Sequence, residues 1–132
     1  MAPPDYPPTL EDLATLASNV IATLPAPFRN ATGPLPILIE EFPSEEVLKE
    51  MGLVSPFDIL GLYQGVDLRS KSTLDAPGDI DRVFLYRRPI LDYWCETGEA
   101  LPHIVSHVLI HEIGHHFGLS DADMAAIEAE AE

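Results

Sequence analysis

The sequence predicts a small α+β domain of mixed α/β character, with about three strands. Its length of 132 residues fits one compact domain, and an apolar fraction of 46% is enough to bury a core. Along the chain, apolar residues recur at helical spacing in some segments and form the short runs typical of strands in others. We therefore expect a single domain over residues 1–132, with the proline-rich residues 1–8 as a flexible tail.

The first half of the chain contains signals for two helices. Thr9 and Asp12 form an approximate capping box, and apolar residues then recur at helical spacing until Pro25. Ser44 can begin a second, shorter helix, which Gly52 is well placed to terminate. These signals predict one long and one short helix before residue 53.

Three segments read as strands. Residues 35–42 and 82–87 are rich in β-branched and aromatic residues, and residues 60–66 form a shorter run with glycines at positions 61 and 65. Interior glycines weaken a strand, so they suggest an edge strand that another backbone approaches closely. The polar residues 67–81 predict a loop.

Helices dominate the rest of the chain. Pro89 suits the first turn of a helix that continues to about Glu96, and the next helix spans residues 102–117. Residues 121–132 are helix-prone through alanine. The single cysteine, Cys95, lies in an apolar helical stretch and is expected to be a buried thiol, which is consistent with a reducing cytoplasm.

Charge and hydropathy exclude several classes of partner. The net charge of −15 argues against nucleic acid and anionic membranes, and no apolar stretch reaches the ~18 residues needed to span a bilayer. Five of the seven basic residues lie within positions 69–88, which contain three acids, so this segment has a net charge of +2 and the rest −17. We favour local ion pairing there; the alternative is an anchor for an acidic group of a substrate or partner.

A histidine-glutamate motif lies within the helix predicted at 102–117. His111 and His115 are four residues apart, so both imidazoles lie on one helix face, about 6 Å from each other. Two ring nitrogens can then bind one zinc ion. Glu112 is displaced around the helix, where it can accept a proton from metal-activated water without binding the metal. The pattern H-E-x-x-H is typical of zinc hydrolases.

The residues that follow the motif offer a third ligand. Gly118 permits a positive φ and hence a sharp turn, after which Asp121 presents a carboxylate six residues beyond His115. Three protein ligands plus water is the coordination of a catalytic zinc ion. Asp121 can instead cap the terminal helix, and one carboxylate can do both. Asp123 is a poorer candidate ligand.

Two further residues are candidates for a supporting role. His107 precedes His111 by one helical turn, so it either supports the metal site or faces the substrate, unless it simply covers buried surface. Tyr63 lies in the strand predicted at 60–66, and such a strand can pair with an extended peptide substrate. The alternative is an ordinary short edge strand.

The run from His111 to Met124 resembles the zinc motif of a family of small bacterial proteins, the minimal zincin-like metallopeptidases. Residues 60–65 and 82–90 are similar to other segments of that family, so the resemblance covers most of the chain from about residue 35. It implies a metzincin-like motif with aspartate as third ligand. It also implies a three-stranded sheet packed against an active-site helix, with two to four further helices.

The motif and the resemblance together predict a zinc-dependent metallopeptidase-like hydrolase. One zinc ion is expected on His111, His115 and Asp121, with Glu112 as the general base and a peptide or protein as substrate. The alternative is an inactive zinc-binding domain that recognises a peptide or protein partner. A structural metal closed by a fourth ligand such as Asp123 is a further alternative, and cobalt, nickel or iron would also suit these donors.

Overall fold

The computed structural model describes residues 6–26, 29, 35–64, 82–116 and 118–131. These residues contain a three-stranded sheet and five helices, which confirms the predicted α+β class. The predicted loop at 67–81 lies outside them. In chain order the elements are α1 (Leu10–Thr23), β1 (Ile37–Glu40), α2 (Glu45–Met51), β2 (Gly61–Gln64), β3 (Arg82–Tyr86), α3 (Arg87–Thr97), α4 (Leu101–His116) and α5 (Asp121–Ala131).

The predicted helix signals in the first half are confirmed. The Thr9 hydroxyl accepts a hydrogen bond from the Asp12 N–H at 3.0 Å, and the Asp12 carboxylate accepts one from the Thr9 N–H at 2.9 Å. The Ser44 hydroxyl caps α2 by accepting from the Val47 N–H. Gly52 ends that helix in the left-handed conformation, with φ of 67°.

One expectation about α3 is confirmed and one was wrong. The helix begins at Arg87, so Pro89 lies in its first turn as predicted; a proline is tolerated there because the N–H groups of the first turn have no partner within the helix. Cys95 is exposed, whereas we expected a buried thiol. The reason is rotation: Cys95 follows the buried Ile90 by five residues, which places it about 140° further around the helix.

The sheet has the strand order β1-β3-β2, with β1 parallel and β2 antiparallel to the central β3. Among the described residues β2 is therefore an edge strand, as its glycines predicted. Val83 and Leu85 of β3 are fully buried and face the core shared with α1 and α4. Phe84 and Tyr86 stack on each other on the opposite face of the sheet.

Helix α4 is the element on which the domain is packed. It contacts α1, α3, α5, β2 and β3. Burial of so many apolar side chains from one helix stabilises the fold and fixes the direction of the remaining, polar side chains of α4. The buried apolar residues of α4 are Leu101, Ile104, Val105, Val108, Leu109, Ile110 and Ile113.

The chain before α1 is tied to the sheet by one arginine. Arg87 donates from Nη1 to both carboxylate oxygens of Glu41, at 3.0 and 3.1 Å, and from Nε to the carbonyl oxygen of Pro8 at 2.6 Å. Arg87, one of the five basic residues of the segment 69–88, is therefore paired with an acid of the same chain. Arg69 and Lys71 of that segment lie outside the described residues.

No helix in the described part of the chain combines the length and the apolar character needed to cross a membrane.

Strand β2 approaches α4 closely at Gly61. A methyl group added there would lie 2.5 Å from Val108 Cγ1 and 2.9 Å from the carbonyl oxygen of Phe84. Any other residue would push β2 away from α4 or from β3. The glycine therefore sets how near the edge strand comes to the polar face of α4.

We expect Gly61→Ala to lower the free energy of unfolding by about 1–3 kcal/mol, because the new methyl group overpacks the contact with α4. Urea denaturation measures this change. Val108→Ala in the same chain removes one of the two clashing groups, so the double variant should lose less stability than the sum of the single variants. Additive losses, or a Gly61→Ala variant as stable as the parent, would contradict the close contact.

Candidate metal centre

A stripe of histidines follows α4. His103, His107, His111 and His115 occur at every fourth position, and successive members of such a series lie on nearly the same helix face. The rings of His107 and His111 have centroids 4.1 Å apart, and those of His111 and His115 are 6.5 Å apart. The predicted pair, His111 and His115, is therefore brought together by the helix, at close to the expected spacing.

A carboxylate from α5 meets the middle of this stripe. Oε1 of Glu128 lies 2.8 Å from Nδ1 of His107 and 2.8 Å from Nε2 of His111. Donor atoms of these three residues all lie within 4.8 Å of one another, the distance range in which they could hold one metal ion. Among the described residues, His115 and Asp121 are not part of this group.

The shared oxygen of Glu128 is buried and has no aligned hydrogen-bond donor in the described structure, although both ring nitrogens are near it. Both ring nitrogens are close enough to attract the carboxylate, but neither contact has the geometry of a hydrogen bond. A buried oxygen in this condition is costly unless a proton or a cation satisfies it.

Glu112 lies on the side of α4 that faces β2. Its carboxylate accepts a hydrogen bond from the backbone N–H of Tyr63, and its Oε2 lies 3.9 Å from Nδ1 of His115. The side chain of Tyr63 packs against the core, so this residue meets Glu112 through its backbone. The predicted general base thus lies between the histidine pair and the edge strand.

Burial raises the pKa of the Glu112 carboxyl above its ordinary value. The positive charge of His115, the hydrogen bond from the Tyr63 N–H and the charge of His111 all act in the opposite direction, but burial is the largest influence. A raised pKa makes the carboxylate a better proton acceptor, which is the direction that general base catalysis requires.

The chain reverses after α4 at Gly118, which has the positive φ of 68° that the sequence predicted. The Leu119 N–H donates to the Gly114 carbonyl at 2.9 Å, and the Gly118 N–H donates to the His115 carbonyl at 3.1 Å. This pair of bonds is the Schellman arrangement that ends a helix and satisfies its last carbonyls. The turn directs α5 back along α4.

Asp121 is the first residue of α5 and is exposed. Its alternative role as the cap of that helix is taken by neighbours, because Ser120 and Asp123 form a reciprocal capping box with hydrogen bonds of 3.1 Å in both directions. The Asp123 carboxylate is therefore engaged, and that of Asp121 lies outside the capping box.

Helix α5 rests on α4 at another small residue. A methyl group added at Gly114 would lie 2.5 Å from Sδ of Met124, which is buried. This contact brings Glu128, one turn beyond Met124, next to His107 and His111. The sequence reasoning missed Glu128. The signal that could have found it is the four-residue spacing from Met124, which places both side chains on the inner face of α5.

The side chain of His107 is 53% exposed, so about half of it faces solvent. Besides meeting Glu128 it lines a cavity of about 340 Å³ together with Leu60, His103 and Val108. The cavity lies next to the start of β2. A substrate group seated there would lie beside the histidine stripe.

Tyr86 is a buried residue of the central strand β3. Burial, and then the negative charges of Glu40 and Glu112, raise the pKa of Tyr86 to about 12. The phenol is therefore neutral at physiological pH. Its electrostatic coupling to Glu112 links the central strand to the candidate base.

The residues fit a zinc ion on the chemistry of their donors. Imidazole nitrogens and carboxylate oxygens are zinc ligands, and the unsatisfied Oε1 of Glu128 is an oxygen that a cation would stabilise. His111 is common to the predicted ligand set and to the group with Glu128. Among the described residues, Glu128 is the carboxylate placed beside His111, and Asp121 does not belong to that group.

Comparison with known families agrees with this architecture. The family model described as zincin-like metallopeptidase matches residues 33–131, which is most of the chain and includes the sheet and α4 with its histidines. The protein belongs to the zincin-like metallopeptidase family, and membership implies that it binds zinc. A search among curated proteins found no match.

We expect Gly118→Ala to destabilise the protein by about 1 kcal/mol, because a β-carbon is strained at positive φ. Apart from the chain neighbours of Gly118, no atom of the described residues lies within 4 Å of the added carbon, so the expected effect is conformational. Gly118→Asn is the matched variant: asparagine tolerates this conformation and should cost less. Equal losses in thermal or urea denaturation would show that the turn does not depend on φ.

We expect Tyr86→Phe to remove a dependence of stability on alkaline pH. The folded protein keeps the neutral phenol up to a pKa of about 12, whereas the unfolded chain ionises near pH 10. The unfolded state therefore binds fewer protons between these values, and stability should fall as pH rises from 10 to 12, by on the order of 2 kcal/mol. Urea denaturation of both proteins across this range tests it; parallel curves would contradict the raised pKa.

Proposed function

We propose that the protein is a zinc-dependent peptidase that hydrolyses peptide or protein substrates, with Glu112 as the general base. The proposed ligands of its single zinc ion are His111, His115 and Asp121. Membership of the zincin-like metallopeptidase family supports the class of reaction. The assignment of roles to individual residues is our own.

The observation that carries this proposal is the position of Glu112. Its carboxylate is held by the Tyr63 N–H on one side and lies 3.9 Å from the His115 ring on the other. A base in this position adjoins both the proposed ligands and the strand along which a substrate would lie. Burial raises its pKa, which increases its affinity for a proton.

The edge of β2 provides a way to orient a peptide. The backbone carbonyl of Leu60 accepts a hydrogen bond from the backbone N–H of Tyr86 at 3.0 Å. In an antiparallel pair every second residue points its backbone groups at the neighbouring strand, so those of Leu60, Leu62 and Gln64 point towards β3. Those of Gly61 and Tyr63 therefore point outwards, towards the side on which Glu112 lies. An extended peptide that pairs with this edge would carry its carbonyl groups past Glu112.

The reaction assigns a distinct task to each residue. A bound zinc ion would polarise the scissile carbonyl and increase the acidity of water. Glu112 takes the proton of the attacking water and passes it to the departing amine. The Tyr63 N–H holds the carboxylate in place for both transfers.

We also propose a reducing, cytoplasmic setting. Cys95 is the single cysteine of the sequence and is exposed, so it has no partner within the chain for a disulfide.

We expect Glu112→Gln to lower peptide hydrolysis by about 10²–10⁴-fold, because glutamine cannot accept the proton. A fluorogenic peptide library with added zinc measures activity, and zinc content is measured on the same samples. Glu45→Gln, a change at an exposed residue of α2, is the matched control.

Both proteins should bind the same amount of zinc, so that loss of activity in Glu112→Gln reflects the missing base. A parent protein that binds zinc and peptides but hydrolyses none would replace our proposal with the alternative, an inactive zinc-binding domain that recognises a peptide. Equal hydrolysis by Glu112→Gln and the parent would remove Glu112 from the mechanism.

A further inference from the structure

The cluster formed by His107, His111 and Glu128 has the composition and spacing of a metal site in its own right. His107 and His111 are one helical turn apart, the same spacing as His111 and His115, and their rings are closer together, at 4.1 Å. Glu128 supplies a third donor from the neighbouring helix. Two imidazoles and one carboxylate are a ligand set that zinc accepts with a fourth position open.

The position of Glu128 on α5 needs a compensating charge. Met124 and Ile127 are the apolar residues by which α5 packs on the core, and Glu128 follows on the same inner face. Its Oε1 is buried without an aligned donor. A carboxylate at a packing position is unfavourable unless it is paired. A divalent cation between the three donors would provide that pairing.

The three donor atoms would need to move only a little to bind such an ion. Zinc bonds of about 2.0–2.1 Å in a tetrahedral arrangement separate neighbouring ligand atoms by about 3.3 Å. The two contacts of Oε1 are now 2.8 Å each, to Nδ1 of His107 and Nε2 of His111. The donors would have to separate by about half an ångström. His107 is more than half exposed, which leaves a path for the metal to enter.

We propose that His107, His111 and Glu128 form a second divalent-metal site that shares His111 with the proposed catalytic site. One ring nitrogen binds one ion, and Nε2 of His111 already lies among the three donors. An ion bound by Glu128 and His107 together with His111 therefore occupies the nitrogen of His111. That nitrogen is then no longer free to bind an ion with His115 and Asp121. Each chain holds one ion, in either position, and only one position supports hydrolysis.

The competition rests on the proposed function, whereas the second site itself does not. If both positions draw on His111, their populations follow the ratio of their affinities and do not depend on the total zinc concentration. Excess zinc would not switch the protein; removal of Glu128 would. Glu128→Gln should thus raise the share of metal in the catalytic position.

The test is zinc stoichiometry and affinity by competition with a chromogenic chelator, on untagged protein. Each site is disabled in turn, with His115→Ala and Asp121→Ala in one protein and His107→Ala and Glu128→Gln in another. We expect about one zinc in each of these double variants and in the parent, and none in His111→Ala. Glu128→Gln added to the first double variant should weaken binding by at least about 100-fold, since loss of a direct ligand costs more than loss of an outer partner.

Matched controls are His103→Ala, one turn before His107 on the same stripe, and Glu45→Gln at an exposed residue of α2. Both should bind zinc like the parent. Circular dichroism on each variant reports folding, and the substituted side chains of His115 and Asp121 are exposed, so their loss should leave the fold intact.

The outcomes separate the two proposals. No zinc in the His115 and Asp121 double variant, with one in the parent, overturns the second site and leaves the proposed function standing. If the His107 and Glu128 double variant binds no zinc while the His115 and Asp121 double variant binds one zinc ion, the result supports the second site and overturns the catalytic ligand set. Two zinc ions in the parent would overturn the sharing of His111.

Discussion

The close contact between α4 and the edge strand at Gly61 is the constraint on which the site depends. With no side chain at that position, β2 approaches Val108 closely enough for the Tyr63 N–H, two residues on, to reach the Glu112 carboxylate. The same helix fills the core with its apolar face. The position of the candidate base is therefore fixed by the packing that stabilises the domain.

Electrostatics around α4 follow from this packing. The sheet and helix remove Glu112 from water, which raises its pKa, while His115 and His111 partly offset the effect. Tyr86 is buried and lies within the electrostatic influence of the same carboxylate, so it keeps its proton to high pH. In a chain with a net charge of −15, the histidine stripe supplies neutral-to-basic metal donors beside these carboxylates.

The turn at Gly118 has two consequences for metal binding. It carries Asp121 out of α4 just after His115, as a third ligand requires, and it also starts a helix that packs back on Gly114 through Met124. That second contact delivers Glu128 to the other end of the stripe. A single reversal of the chain thus presents Glu128 to His107 and His111. The proposed ligand Asp121 lies six residues after His115 in the same turn.

The sequence by itself determined what depends on local order along the chain. Capping residues, helical spacing and the positive φ of Gly118 follow from bonds within a few residues, and so does the placement of His111, Glu112 and His115 on one helix. Tertiary structure alone decided which strand faces Glu112 and the meeting of Glu128 with His107. Those features join residues from separate elements, and their positions depend on how α4 packs, which no local pattern specifies.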